Sequence, residues 1–169
     1  MNNSLERELE MLHVNCRTPL ALTHKIVPQM IKRRKGGVIF VSSLTGLIPS
    51  PPWGHYAATK IYLKVLAECL SEEWSAEGLD VMAFCPGPVR TEFQEVAGAD
   101  YQNAGLLARI ATYEMPVDTA VRAALNKLGK KVVVIPGWRN KFVNFLHKLA
   151  PRRLAIHITA KILNQVRKK

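Results

Sequence analysis

Four side chains near the start of the chain have the types and spacing for proton transfer: Asn15, Ser43, Tyr56 and Lys60. In "HYAATK", residues 55–60, Tyr56 precedes Lys60 by four positions, so on a helix the two share a face. A phenol with an ordinary pKa of about 10 is a poor proton shuttle at neutral pH, and a nearby ammonium favours its ionised form. Lys60 is therefore expected to lower the pKa of Tyr56. Ser43 closes the apolar run "VIFVSS", and a hydroxyl at the carboxyl end of a buried strand can orient a substrate carbonyl. Taken singly, each residue has a plainer reading. Ser43, Pro86 and Gly87 could end strands, Asn15 could be an exposed helix position, Tyr56 and Lys60 a surface pair, and Thr91 a helix cap.

Such a cluster needs elements to hold it. Residues 5–31 carry apolar residues at helical spacing, with Asn3 and Ser4 as candidate caps, and Pro19 and Pro28 should bend or break that helix. "VIFVSS", residues 38–43, reads as a buried parallel strand, and the Pro- and Gly-rich "LTGLIPSPPWG" that follows reads as a loop. A second helix runs from His55 to about Glu77 on Tyr62, Val65, Leu66, Cys69, Leu70 and Trp74. "LDVMAFCPGP", residues 79–88, reads as a strand ending in a turn, and helical patches follow to about residue 114. Pro116 opens a helix through Leu128 closed by Gly129, and "KKVVVIPG" makes a third strand. Alternating helices and strands imply a parallel sheet with crossover helices on its faces.

Composition narrows the class. The 169 residues are 48% hydrophobic, enough for one domain with a core, and no run reaches the ~18 apolar residues of a membrane span. The acidic start "MNNSLERELEML" does not read as a secretory signal, which favours a cytoplasmic protein, with a peripheral membrane position left open. Cys16, Cys69 and Cys85 read as buried free thiols, and neither they nor the five histidines show metal-ligand spacing. The net charge of +11 is uneven. Residues 1–118 hold 11 Lys/Arg and all 13 Asp/Glu, whereas residues 119–169 hold 13 Lys/Arg and no acid.

The order of these residues resembles the short-chain dehydrogenase/reductase family, Rossmann-like oxidoreductases built around a Tyr-x-x-x-Lys pair. Ser43 lies 13 residues before Tyr56, and Asn15, in "HVNCRTP", lies 28 before Ser43, spacings similar to those of the family's catalytic serine and helix asparagine. "CPGPVRTEF", residues 85–93, resembles the family's Pro-Gly turn and the threonine that follows it near the nicotinamide. The resemblance covers about residues 5–137. It implies hydride transfer between NAD or NADP and a small-molecule carbonyl or alcohol. Tyr56 would be acid/base, Lys60 its tuner and a ribose contact, Ser43 the substrate orienter and Asn15 the support of a relay water. Tyr56, Lys60, Pro86, Gly87, Val89 and Thr91 would line the cofactor site.

The expected architecture is a three-layer α/β/α Rossmann-like fold with about three core strands over residues 1–137, and a basic helical tail over 138–169. The first glycine is Gly36, so no glycine-rich phosphate turn precedes the catalytic segment, and the chain reads as the carboxyl half of a reductase or as a truncated product. Without a neighbouring fourth strand, the edge of the strand around Val38–Ser43 invites association. A homo-oligomer is expected, since the first helix and the Tyr56 helix resemble the family's dimer interface. The alternative is a non-catalytic truncated paralogue or fragment that acts through association or membrane-surface binding. In the tail, Leu154, Ile158, Ile162 and Val166 recur every four residues among Lys and Arg. That stripe can lie on an anionic membrane or pack on the chain's own core or a second subunit. Nucleic acid is not an expected partner, for want of a recognisable binding module. Trp53, Phe93 and Tyr101 suggest an apolar substrate pocket, although they could equally be packing residues.

Overall fold

The second strand holds the fold together because both of its faces are apolar. In a computed structural model that describes residues 3–93 and 105–166, β1 (Gly36–Val41), β2 (Leu79–Phe84) and β3 (Val133–Val134) form one parallel sheet in the order β1-β2-β3. Val38 lies opposite Val81 and Phe40 opposite Ala83, while Ala83 and Phe84 lie opposite Val133 and Val134. Successive strand side chains alternate between faces. Val81 and Ala83, with Cys85 just beyond the strand, join Phe40, Leu63 and Ala67 in one core. Met82 and Phe84 join Met115, Ala120, Ala124 and Val134 in another. This is a Rossmann-like α/β arrangement.

Each face owes its cover to one helix. The Tyr56 helix, α3 (Gly54–Glu73), contributes Leu63 and Ala67 to the first core, with Tyr62, Leu66, Leu70 and Trp74 half-buried beside them. Val65 and Cys69, expected on the inward stripe, are exposed: the buried line runs through Leu63 and Ala67, which turns those two positions outward. On the second face lies α5 (Val117–Leu125), preceded by Pro116 at its cap; the chain then turns to Gly129, whose φ of 73° suits a residue without a side chain. Before it comes the short α4 (Leu106–Ala111). Asp80 and Gly129 approach closely at the base of this face.

The first helix is continuous in direction but not in winding. Ser4 caps α1 (Leu5–Leu12) by accepting from the Arg7 N–H, a widened π-turn covers His13–Arg17, and α2 (Thr18–Lys32) follows. The interruption falls just before Pro19, where proline cannot donate to the carbonyl four residues back. Pro28 sits inside α2, and the helix passes through it on an exposed face where water can serve the freed carbonyl. β3 is shorter than "KKVVVIPG" suggested, since Pro136 has no N–H for a ladder.

The tail forms α6 (Trp138–Leu149) and α7 (Arg152–Val166), separated at Pro151. The expected α7 stripe divides: Val166 is fully buried with Ala108, and Ile162 and Trp53 pack beside them, whereas Leu154 and Ile158 are exposed. Among the described residues, no helix is long and apolar enough to cross a membrane. The final "RKK" lies outside the described residues.

Replacing Met82, which is fully buried, with Ala should cost about 2–5 kcal/mol of unfolding free energy in a denaturant titration. The exposed Val65→Ala should change it by less than about 0.5 kcal/mol.

Candidate active site

The carboxyl ends of β1 and β2 open onto two turns tied to each other and to α3. Beyond β1, the backbone N–H of Ser42 donates to the Phe84 carbonyl at 2.8 Å and that of Leu44 to the Pro86 carbonyl at 2.7 Å. The Pro-Gly turn after β2 is thereby held beside Ser43. The Ser42 hydroxyl, buried, donates to the Lys60 carbonyl on α3 at 2.7 Å. Ser43 caps the short 3-10 turn Leu44–Gly46, its Oγ accepting from the Thr45 N–H at 3.2 Å.

Gly46 lets these pieces meet. A Cβ at that position would lie 2.6 Å from Ser42 Oγ and 2.9 Å from the Lys60 carbonyl oxygen, closer than any side chain tolerates. The turn carrying Ser43 therefore rests directly on the backbone of the helix carrying Tyr56 and Lys60. Neither Ser42 nor Gly46 was singled out from sequence. A buried serine beside the candidate serine and a glycine three residues after it carry no signal of their own in one chain.

Asn15 joins the cluster through a residue that sequence reasoning passed over. Its side-chain amide donates to Thr59 Oγ1 at 3.0 Å, and Thr59 in turn donates to the Tyr56 carbonyl at 2.8 Å. Thr59 is buried, so the π-turn of the first helix is fixed to the turn of α3 that separates Tyr56 from Lys60. A second clamp lies one turn earlier, where the His55 ring stands 3.0 Å from the Glu8 carbonyl and 3.4 Å from its carboxylate. These contacts bring the π-turn and α1 against the start of α3.

Lys60 Nζ lies 5.5 Å from the centroid of the Tyr56 ring and donates to the Val41 carbonyl at 3.1 Å. The phenol's pKa is raised, not lowered. Burial pushes it up, and a hydrogen bond with the Ser43 hydroxyl pulls in the opposite direction. Lys60 is itself shifted down by burial, with the Cys16 thiol acting against that shift. The expected lowering of Tyr56 by Lys60 is therefore overturned in this geometry: desolvation of the ring dominates, and the ammonium is directed at a strand carbonyl. Phe93 stacks against Tyr56 with ring centroids 5.8 Å apart.

The residues expected to line a cofactor are less tightly grouped. Pro86 is bound into the Ser43 turn as described. Gly87 meets the Asn140 amide, which a Cβ would approach to 2.5 Å, and Val89 forms a parallel bridge with Met115. Thr91 is exposed, its hydroxyl 3.4 Å from the Val89 carbonyl. Trp53 packs against the tail beside Val166, and Tyr101 lies outside the described residues. Among the described residues no group of three His, Cys, Asp or Glu side chains could hold a metal. All three cysteines are free, with Cys85 buried and its thiol pushed up to about 11 by burial.

A sequence model of the short chain dehydrogenase family matches residues 3–102. The chain belongs to this family. It is 34% identical over 147 residues to the zebrafish (Danio rerio) dehydrogenase/reductase SDR family member 7B, a match covering 84% of this chain and 47% of that protein. It is also 26% identical over 137 residues to a very-long-chain 3-oxoacyl-CoA reductase of Macaca fascicularis, covering 76% and 40%. A solved 7beta-hydroxysteroid dehydrogenase superposes with a TM-score of 0.80 at 27% identity, covering 94% of this chain and 60% of that one. A short-chain dehydrogenase from Sphingobium yanoikuyae, solved with NADPH, shares the fold at a TM-score of 0.70 and 24% identity, covering 86% and 56%. The chain thus spans less than half the length of the two curated relatives.

Gly46→Ala should destabilise the chain by about 1–3 kcal/mol through forced separation of the Ser43 turn from α3. Gly54→Ala, at the open first position of α3, should be neutral or stabilising by up to ~1 kcal/mol, both variants being read by thermal unfolding. A spectrophotometric titration of wild type minus Tyr56→Phe should show the Tyr56 inflexion above the ordinary tyrosine value of about 10. An inflexion below that value would mean that Lys60, not burial, sets the phenol's proton affinity.

Proposed function

We propose that this chain carries the catalytic part of an NAD- or NADP-dependent oxidoreductase that interconverts a carbonyl and an alcohol. The observation that carries this reading is the assembly of Ser43, Tyr56, Lys60 and Asn15 around one turn of α3, within a family of dehydrogenases. Burial raises the proton affinity of the Tyr56 phenol, whose protonated form would donate to a carbonyl oxygen as it gains charge and whose ionised form would take the proton back in the reverse direction. Ser43 Oγ, next to that phenol, would hold the same oxygen. Lys60 has three N–H donors and engages Val41 with one, which leaves donors for a ribose hydroxyl and for recharging Tyr56.

Asn15 would act mainly through its backbone. Pro19, four residues on, has no N–H to offer the Asn15 carbonyl, and the side chain is already committed to Thr59, so that carbonyl is suited to hold a relay water. These residues fit the nicotinamide-ribose end of a dinucleotide, with Pro86, Gly87, Val89 and Thr91 as candidate neighbours. When bound, the nicotinamide supplies the hydride. The substrate would be a carbonyl compound or the corresponding alcohol, in keeping with the 3-oxoacyl-CoA reductase and hydroxysteroid dehydrogenase among the relatives.

Self-association accompanies this reading. β1 lies at the sheet edge with β2 as its one strand partner among the described residues. Leu5, Leu9, Leu12 and Ile26 on the first helix and Ile61 and Val65 on α3 are exposed apolar side chains. A homodimer would bury such faces. The same open edge among the described residues favours a second reading: a non-catalytic paralogue or fragment that acts by association.

Calorimetric titration with NADH and NADPH separates the two. Saturable binding that Lys60→Ala weakens about tenfold or more is the expected outcome. Tyr56→Phe should then keep binding and lose about 100-fold or more in carbonyl reduction. A folded chain that binds neither nucleotide would leave only the associative reading.

A further inference from the structure

The helix α6 is built inside out. Trp138, Phe142, Phe145, Leu146 and Leu149 fall at i, i+4, i+7, i+8 and i+11, a single stripe of helical surface. That stripe faces away from the chain, its five side chains between 48% and 72% exposed. The inward face carries Asn140 and Asn144, both buried, and the half-buried His147. Asn140 donates to the Pro136 carbonyl at 2.8 Å, while Asn144 Oδ1 and His147 Nε2 have no hydrogen-bond partner among the described residues. A helix that served only its own core would bury the tryptophan and phenylalanines and expose the amides. An apolar stripe of this size on the outside marks an interaction surface.

Charge identifies the kind of surface it meets. By helical position Lys141 and Lys148 flank the stripe on one side and Arg139 on the other, and all three are exposed. α7 adds Arg152, Arg153 and Lys161, with Leu154 and Ile158 as further exposed apolar side chains. No acidic residue occurs after Asp118 to offset these cations. A second copy of the chain would bring like charges together around the stripe, which disfavours a symmetric pairing through it. An anionic bilayer accepts the aromatic and leucine side chains at the headgroup boundary and pairs with the flanking cations, whose aliphatic stems extend along the apolar surface.

We propose that the outward face of α6 docks the protein onto an anionic phospholipid surface. The element is α6, not the α7 stripe that periodicity suggested, because the end of that stripe is used in packing against Ala108 and Trp53. The proposal is independent of the oxidoreductase reading, since it involves none of Asn15, Ser43, Tyr56 or Lys60.

The test is flotation of the 169-residue chain with phosphatidylcholine vesicles, with and without phosphatidylserine. Binding should require phosphatidylserine and weaken as salt is raised. Lys141→Gln with Lys148→Gln should weaken it about thirtyfold, since each cation near the surface is worth about fivefold. Phe142→Ser with Phe145→Ser should abolish it, while Lys25→Gln with Lys32→Gln, on the exposed side of α2, should leave it unchanged. The altered side chains are exposed, and thermal melts by circular dichroism will confirm that each variant folds. The proposal is overturned if folded wild type does not float with anionic vesicles, or if binding survives loss of both phenylalanines. It is also overturned if Phe142→Ser with Phe145→Ser converts a dimer to a monomer and no vesicle binding is seen, which would assign the stripe to a second copy.

Discussion

The seat of the Ser43 turn on the backbone of α3 is the constraint on which the rest of the site depends. It is made by a hydroxyl and an absence: Ser42 donates to the Lys60 carbonyl, and Gly46 has no side chain to hold the two backbones apart. Because the contact is made to the backbone of α3 by Ser42 and Gly46, it fixes the distance between the end of β1 and the helix independently of the Ser43, Tyr56 and Lys60 side chains. Ser43, Tyr56 and Lys60 then inherit their relation from it. The Leu44 to Pro86 hydrogen bond extends the same registration to the end of β2.

Upon this joint the first helix is fastened by polar contacts to α3, with Val27 of its α2 part buried as well. Asn15 reaches Thr59 and His55 reaches Glu8, both across the seam between the first helix and α3. Asn15 makes the first of these contacts from within the π-turn His13–Arg17. The location of that turn follows from Pro19, which withholds a donor from the preceding turn. The outer sides of the same helices remain apolar and exposed. The polar seam and the exposed apolar side chains are thus opposite aspects of one pair of helices.

Element order was legible in the sequence because hydrophobic periodicity is local. The runs at 38–43 and 79–84 and the helical stretches around them can each be read without knowing what they touch, and the Tyr-x-x-x-Lys spacing carries the family resemblance in the same way. Facing was less legible. Val65 and Cys69 fit an apolar stripe by spacing as well as Leu63 and Ala67 do, and only the position of β2 decides which pair is buried. In α7, Val166 goes inward and Leu154 outward although they belong to one four-residue repeat. The α6 stripe was not singled out from sequence, and its spacing alone would not give its direction, because a wheel of residues does not say which side the core lies on.

By itself the sequence determined the parallel α/β order, the chemistry available at Asn15, Ser43, Tyr56 and Lys60, and the concentration of positive charge after residue 118, since these depend on residue identity and spacing along one chain. Only the tertiary structure decided that Thr59, Ser42 and Gly46 assemble the site, that burial raises the proton affinity of Tyr56 against the pull of the Ser43 hydrogen bond, and that α6 turns its aromatic side outward. Desolvation, close approach and facing are properties of what surrounds a residue, and those surroundings come from parts of the chain distant in sequence.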